Sequence, residues 1–389
     1  MAAAVANGTH TGHQFSVTET GGATISIPIQ VPRGIGGMEP QLSLNYSSGA
    51  GNGLLGIGWT LAGPSAITRC PKTAVHDAGV RGAVSFSTSD RFCLDGQRLI
   101  SVNPTTDATY GAAGTEYRTE RDSFSRILAV GNTGGSSGYP ASFKVLTKAG
   151  LILEFGLSDN SRAMTVMTGG AANVVNRWLL QRISDRMVTP SFVEFVYCGG
   201  EVTATFGCTA SAYAGSKVLR YIQYTNRGTT LNGTTAVVFS YEARPDRQLQ
   251  FHAGASQVQT QRLAYIGTHL GFVASTAADQ PPTSLGSRVK FYEFTYDPMT
   301  NASGQWTRVT NVSRLVRIQE VRGLASDTRP PPSTRSATDA LPPLDFEYAA
   351  DMVYGKGTSQ NNAAGTSASP PAPRCGGYVG VLRINQLCP

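Results

Sequence analysis

The stretch LSLNYSSGAGNGLLGIGWTLAGPSAITRC, from Leu42 to Cys70, decides how the chain is read. Gly51, Gly53 and Gly56 spell G-x-G-x-x-G directly after an alternating, strand-like run. In a dinucleotide-binding unit such glycines let the backbone approach a pyrophosphate, and a helix must follow so that its first N–H groups hold the phosphates. No helix can follow here. Only Trp59, Thr60, Leu61 and Ala62 separate Gly58 from Gly63 and Pro64, and proline stops a helix. The carboxylate expected roughly 20 residues on, to bond a ribose hydroxyl, would be Asp77, which stands in the turn-like HDAG. The stretch therefore reads as strand, glycine-rich connection, strand, with Leu54, Leu55, Ile57 and Trp59 tucked beneath as core. No cofactor is expected.

The same balance runs outward through the 389 residues. Charged residues are 15% of the chain and glycine reaches 44 copies, a composition that favours turns and strands over helices. The net charge of +7 comes from basic residues scattered singly along strand-like segments, never in a run, so a solvated surface explains them and nucleic acid is not expected as a partner. No run of 18 apolar residues is present, so no transmembrane helix is expected. The N-terminal MAAAVANGTHTGHQF lacks the basic and apolar regions of a signal peptide. Of six cysteines, Cys70 and Cys93 flank one strand pair, Cys198 and Cys208 bracket GGEVTATFG, and Cys375 and Cys388 lie near the end. None forms C-x-x-C or stands at zinc spacing from a histidine, so local disulfides in an oxidising compartment are the expectation.

Residues 1–14 read as disordered, 15–350 as one β-rich module with a subdivision near 200–216, and 351–389 as a low-complexity tail. FSVTETGGATISIPIQVP predicts a hairpin about Gly21 and Gly22. RFCLDGQRLISV predicts a second about Asp95 and Gly96, and FKVLTKAGLILEF a third about Ala149 and Gly150. RWLLQRISDRM fits a strand or a short helix. KVLRYIQYTNR, AVVFSYEARPD, RLAYIGTHLG, RVKFYEFTYDP and SRLVRIQEVRG each present one apolar face and predict a meander, with LDFEYA as a last strand. The fold class is all-β: antiparallel meanders and hairpins in a large sandwich or shell-like module with few or no helices.

Taken together, GGATISIPIQVPRGIGGMEPQLSLNYSSGAGNGLLGIGWTL, ITRCPKT, DRFCLDGQRLI, EYRTERDSFSRI and FYEFTYD followed by SRLVRIQEV resemble the SpvB family, the N-terminal region of Rhs-type proteins and of the B components of Tc-type insecticidal toxins. The resemblance runs from Phe15 to about Tyr348. It implies a non-enzymatic structural module of a secreted toxin system, a β-shell segment that encloses or supports delivery of a toxic cargo. The implied partners are downstream propeller and Rhs-repeat segments or other toxin-complex subunits. Some members carry a C-terminal ADP-ribosyltransferase whose chemistry needs a Glu-x-Glu pair, and no two glutamates here stand two apart. A meander also has edges, which would be open to a partner unless GGYVGVLRI, residues 376–384, folds back as a closing strand.

Neither G-x-S-x-G nor H-E-x-x-H occurs, and His10, His13, His76, His252 and His269 are scattered. Glu120 and Asp122 are the nearest approach to a glycosidase pair, although their spacing also suits one solvated strand face with Arg118 and Arg121 as salt partners. A rival function, a free-standing carbohydrate-binding or adhesion module, would use a surface platform of Tyr221, Tyr241 and Tyr292, with Tyr224, Tyr265 and Tyr296 on neighbouring strands, to hold a glycan. Cross-strand packing is the simpler use of those rings.

Overall fold

The computed structural model describes residues 11–132, 139–165, 174–209, 217–252, 255–277, 279–298, 312–323 and 340–348, with the backbone of 378–379 and 382–385. Strand makes up 54% of them. Helix is confined to Asp107–Tyr110 and to the 3-10 turns Ile35–Gly37 and Asp159–Ser161.

The first layer is an antiparallel sheet of Gln14–Val17, Ala23–Ile29, Leu42–Ser47 and Trp59–Ala62. Side chains alternate between its faces, so Ala23, Ile25, Ile27, Ile29, Leu42, Leu44 and Tyr46 are buried while Thr24, Ser26 and Asn45 look outward. The hairpin about Gly21 and Gly22 forms as the sequence predicts. Strand begins at Gln14 and Thr11 is buried, so order reaches further back than the sequence indicated; residues 1–10 lie outside the described residues.

The second unit closes on itself. Ala66–Cys70, Arg91–Leu94, Gln97–Ser101, Glu116–Thr119, Arg126–Asn132, Pro140–Leu146, Ile152–Phe155 and Val174–Ser184 pair each with the next, and the last returns to the first through Arg177↔Thr68 and Trp178↔Ile67. A ring of this size leaves an interior just wide enough for side chains. Aromatic rings fill it: Phe92, Phe143 and Trp178 lie 5.1 to 5.3 Å apart, edge to face, and Tyr110 from the short helix stacks on Phe92 at 5.4 Å. Burying each such ring stabilises the barrel by roughly 1.5–3 kcal/mol.

Val174–Ser184, the segment whose periodicity was ambiguous, is a strand shared by two structures. Its Arg177–Leu179 close the barrel, and its Arg182–Ser184 pair with Ser191–Cys198 to begin an open meander. That meander continues antiparallel through Val218–Arg227, Thr235–His252, Ala255–Leu270, Ser287–Tyr296, Leu315–Arg322 and Leu344–Tyr348. The ladder from Ser191–Cys198 to Val218–Arg227 runs across the stretch 200–216. Leu382–Asn385 pairs with Leu344–Tyr348, so part of the segment read as tail does form the closing strand; residues 349–377 lie outside the described residues, Cys375 with them, as does Cys388.

Candidate functional site

The glycine-rich loop lies between the first sheet and the meander. Asn52–Gly53 pairs with Gly56–Ile57 as a minute hairpin, and the Leu55 side chain at its turn is fully buried. Gly56, at φ +93, brings backbone against backbone: a Cβ there would stand 2.4 Å from Ser313 O, whose carbonyl accepts the Ile57 N–H at 2.9 Å. Gly58, at φ +80, lies flat on the Tyr46 ring, 2.4 Å from where a Cβ would be. Glycine is used here for protein-to-protein approach, in a backbone region that side chains strain.

A buried polar clamp holds this loop. Pro245 cannot donate to a ladder, and the Thr235–His252 strand breaks register between Ala243 and Gln248. The break turns Arg244 and Asp246 inward, where both are buried. Arg244 Nε donates to Asp246 Oδ1 at 2.9 Å, and Arg244 Nη1 donates to Gly53 O at 2.7 Å and to Gln259 Oε1 at 3.0 Å. Asn52 Nδ2 and the Ser313 N–H donate to Asp246 Oδ2 at 2.8 and 2.6 Å, while Arg244 Nη2 reaches Asn52 Oδ1 and Ser313 Oγ reaches Asp246 Oδ1. Burial alone would raise the Asp246 pKa, but the donors from Arg244, Ser313 and Asn52 outweigh it and bring the carboxyl down to about 2. Fixed in its charged form with its oxygens occupied, Asp246 is a fastener.

A second charged cluster lines a recess of about 480 Å³ at one end of the barrel. Asp77 accepts from Arg91 Nε and Arg98 Nη2, both at 2.7 Å, and Asp107 accepts from Lys72 Nζ at 2.5 Å and Arg91 Nη2 at 2.8 Å. Burial pushes the Asp77 carboxyl up, but hydrogen bonds from the Thr73 N–H, Arg98 and Arg91 hold it below the usual range. Both carboxylates of this recess are thus held by cations of the protein itself. Among the described residues no group of histidine, cysteine and carboxylate side chains could hold a metal.

The acid pair suggested by spacing does not assemble. Glu120 Oε1 bonds His76 Nε2 at 2.9 Å, whereas Asp122 Oδ1 caps its own turn at the Phe124 N–H, 2.8 Å. Arg118 pairs with Glu116 at 2.8 Å and not with Glu120. His13 lies in the strand's approach, His269 is buried, and His10 falls outside the described residues.

The tyrosine platform is corrected by burial. Tyr292 and Tyr224 are fully buried, Tyr221 is 4% exposed, Tyr265 and Tyr296 are buried, and Tyr241 is half-buried, so no row of ring faces meets water. Their hydroxyls work inside the fold. Tyr292 Oη accepts the Gln30 N–H at 3.0 Å, Tyr224 Oη donates to Pro32 O at 2.8 Å, and Tyr241 and Tyr296 donate to Leu219 O and Leu263 O, both at 2.5 Å. The Trp59 indole likewise donates to Tyr348 Oη at 3.1 Å. Meander and first sheet are thus tied from Gln30 to Tyr348. The structure also joins Cys70 to Cys93, with Cα atoms 5.9 Å apart on adjacent strands, and Cys198 to Cys208 at 5.6 Å.

Pattern reading missed Asn52, Arg244, Asp246 and Ser313 as a unit. The one available signal was RPD inside a strand-like run, since proline and two charges there mark a break in pairing.

Comparison with known proteins agrees with this architecture. Mono(ADP-ribosyl)transferase SpvB of Salmonella choleraesuis (strain SC-B67) is 28% identical over 191 residues, which cover 45% of this chain and 28% of that protein. The Salmonella typhimurium (strain 14028s / SGSC 2262) protein of the same name is 29% identical over the same length. Among solved structures, TcdB2-TccC3 matches with a TM-score of 0.59 at 19% identity, over 88% of this chain and 17% of that one. The N-terminal domain of effector protein SpvB from Salmonella typhimurium strain LT2 matches with a TM-score of 0.53 at 19% identity, over 77% of this chain and 99% of that domain. The chain thus spans about a quarter of the length of the curated relatives it matches, 28%. The family model for the Salmonella virulence plasmid 65kDa B protein matches residues 17–235, more than half of the chain, and the protein belongs to the SpvB family.

Proposed function

We propose that the chain is a non-enzymatic scaffold of a toxin assembly, contributing a segment of β-shell that supports delivery of a toxic cargo, and that it works outside the reducing cytoplasm. The observation that carries this is the fold shared with TcdB2-TccC3 over 88% of the chain. Two further features support it. Every carboxylate of the two clusters described above is paired with a cation of the protein itself, which suits a support structure better than a catalytic centre. Among the described residues the Gln14–Val17 strand pairs on one side only, and its Phe15 and Val17, which share a face with buried Ile25 and Ala23, are 47% and 60% exposed. An edge of this kind templates a further strand. The two disulfides suit an oxidising compartment. The glycan-binding alternative loses its platform with the tyrosines buried.

The test is size-exclusion chromatography with light scattering, on the full chain alone and mixed with a purified Rhs-repeat or propeller segment. Co-elution, abolished by Phe15→Ser with Val17→Ser, is the expected result. Failure to capture either segment, or transfer of ADP-ribose from NAD to protein by the chain itself, would overturn the proposal.

A further inference from the structure

Because the strands run up and down in sequence order, their connections fall alternately on two rims. One rim is a row of neighbouring turns at 120–125, 147–151, 185–190 and 228–234. Their adjacency is direct: Lys148 Nζ lies 5.2 Å from the Phe124 ring, Ile152 pairs with Ser184, and the Gly228 N–H donates to Pro190 O at 2.8 Å.

The apices of these turns carry large apolar side chains in water. Phe124 and Met187 are each 70% exposed, Val188 is fully exposed, and Leu231 is 44% exposed. Phe124 also sits at φ +56, a region costly for a bulky residue, where glycine or asparagine would serve the turn better. Neither backbone nor burial explains a phenylalanine there.

Cations surround these apices. Arg118 and Arg126 share Glu116, but Arg121, Lys148 and Arg186 are exposed and have no carboxylate partner among the described residues. The nearby acids are fewer than the cations and each is engaged: Glu120 bonds His76, Asp122 accepts the Phe124 N–H, and Asp185 accepts the Met187 N–H at 3.0 Å and the Ser191 N–H at 3.2 Å. The outward field of the rim is positive.

We propose that this rim docks on an anionic lipid bilayer, with Phe124, Met187 and Val188 entering between headgroups and Arg121, Lys148 and Arg186 contacting lipid phosphates. A protein interface needs a contiguous apolar centre, whereas these side chains project from three separate turns, Phe124 from one, Met187 with Val188 from a second and Leu231 from a third. Separate apolar anchors ringed by cations are the arrangement that a charged, deformable lipid surface accepts.

Vesicle co-sedimentation of the full chain tests this, using phosphatidylcholine alone and phosphatidylcholine with phosphatidylserine. Binding to the phosphatidylserine vesicles only, weakened by added salt, is expected. Replacing Arg121, Lys148 and Arg186 together with serine should weaken it about a hundredfold, at roughly fivefold for each cation lost near the surface. Phe124→Asn with Val188→Ser should abolish sedimentation while the circular dichroism spectrum and melting point stay unchanged, since these side chains support nothing inside. Absence of binding by the unaltered protein, or binding indifferent to both sets of substitutions, would overturn the proposal. Capture of a glutamate-rich peptide without vesicle binding would also overturn it, by assigning the rim to an acidic protein.

Discussion

The barrel of residues 66–184 and the meander of residues 191–348 are built from the same kind of strand, yet they are held in opposite ways. The barrel has no free edge in its ring, is filled by its own aromatic rings, and carries a disulfide across Cys70 and Cys93. Among the described residues no ladder returns the last strands of the meander to its first. Its inner side is occupied by the first sheet and the glycine-rich loop, fastened through Arg244–Asp246, Tyr292, Tyr224 and the mutually tilted rings of Trp59 and Phe346, whose centroids are 4.9 Å apart. Closure makes one unit self-sufficient, whereas the other needs a filling supplied from earlier in the chain.

The largest expected effect comes from breaking the clamp. Asp246→Ala leaves Arg244 buried without its counter-charge and should cost about 3–5 kcal/mol. Tyr292→Ala removes a fully buried ring and its bond to Gln30 and should cost a similar amount, about 3–5 kcal/mol. Both should lower the thermal transition of the meander first, seen as a split melting curve by calorimetry.

Next is the disulfide. Cys70 and Cys93 are 23 residues apart, and Cys70→Ser with Cys93→Ser should cost about 3 kcal/mol, since the open chain regains loop freedom. This loss should fall on the barrel and leave the meander transition in place. Peptide mapping without reductant should recover the pair linked.

Acid provides a gentler probe of the same contrast. His269, on the meander strand Ala255–Leu270, is buried, and that desolvation, with Arg288 nearby, brings its pKa from 6.5 down to about 4. The folded state therefore resists the proton that the unfolded chain accepts. Stability from this group is complete above pH 6.5 and declines as pH falls toward 4. Urea titrations at successive pH values should show the meander weakening in that window, and His269→Gln should flatten the dependence. The smallest effect is Phe124→Asn, within about 0.5 kcal/mol of no change, as for other exposed sites.

Much of this was legible in the sequence. Alternation in ATISIPI and LSLNY placed the first sheet and its buried face, the glycine turns placed the hairpins, and a strand, Trp59–Ala62, follows Gly58 where no helix was expected. Ring closure was not legible, because Thr68 and Arg177 meet across more than a hundred residues and nothing local marks the pairing. For the same reason nothing local ties Asn52 to Asp246, which are 194 residues apart. The tyrosines were seen on the correct strands, but alternation alone does not say which face of an all-β sheet is covered. The segment that covers that face comes from far earlier in the chain: Tyr224 and Pro32, just after a strand of the first sheet, are 192 residues apart.

The most direct measurement of the contrast is hydrogen exchange read by mass spectrometry on the full chain and on Asp246→Ala. Loss of the clamp should speed exchange in Val218–Arg227, Thr235–His252, Ala255–Leu270 and Ser287–Tyr296, while Arg91–Leu94, Pro140–Leu146 and Ile152–Phe155 keep their protection. A uniform rise across both sets, or a rise in the barrel strands alone, would contradict the view that the barrel stands by itself and the meander stands on the first sheet.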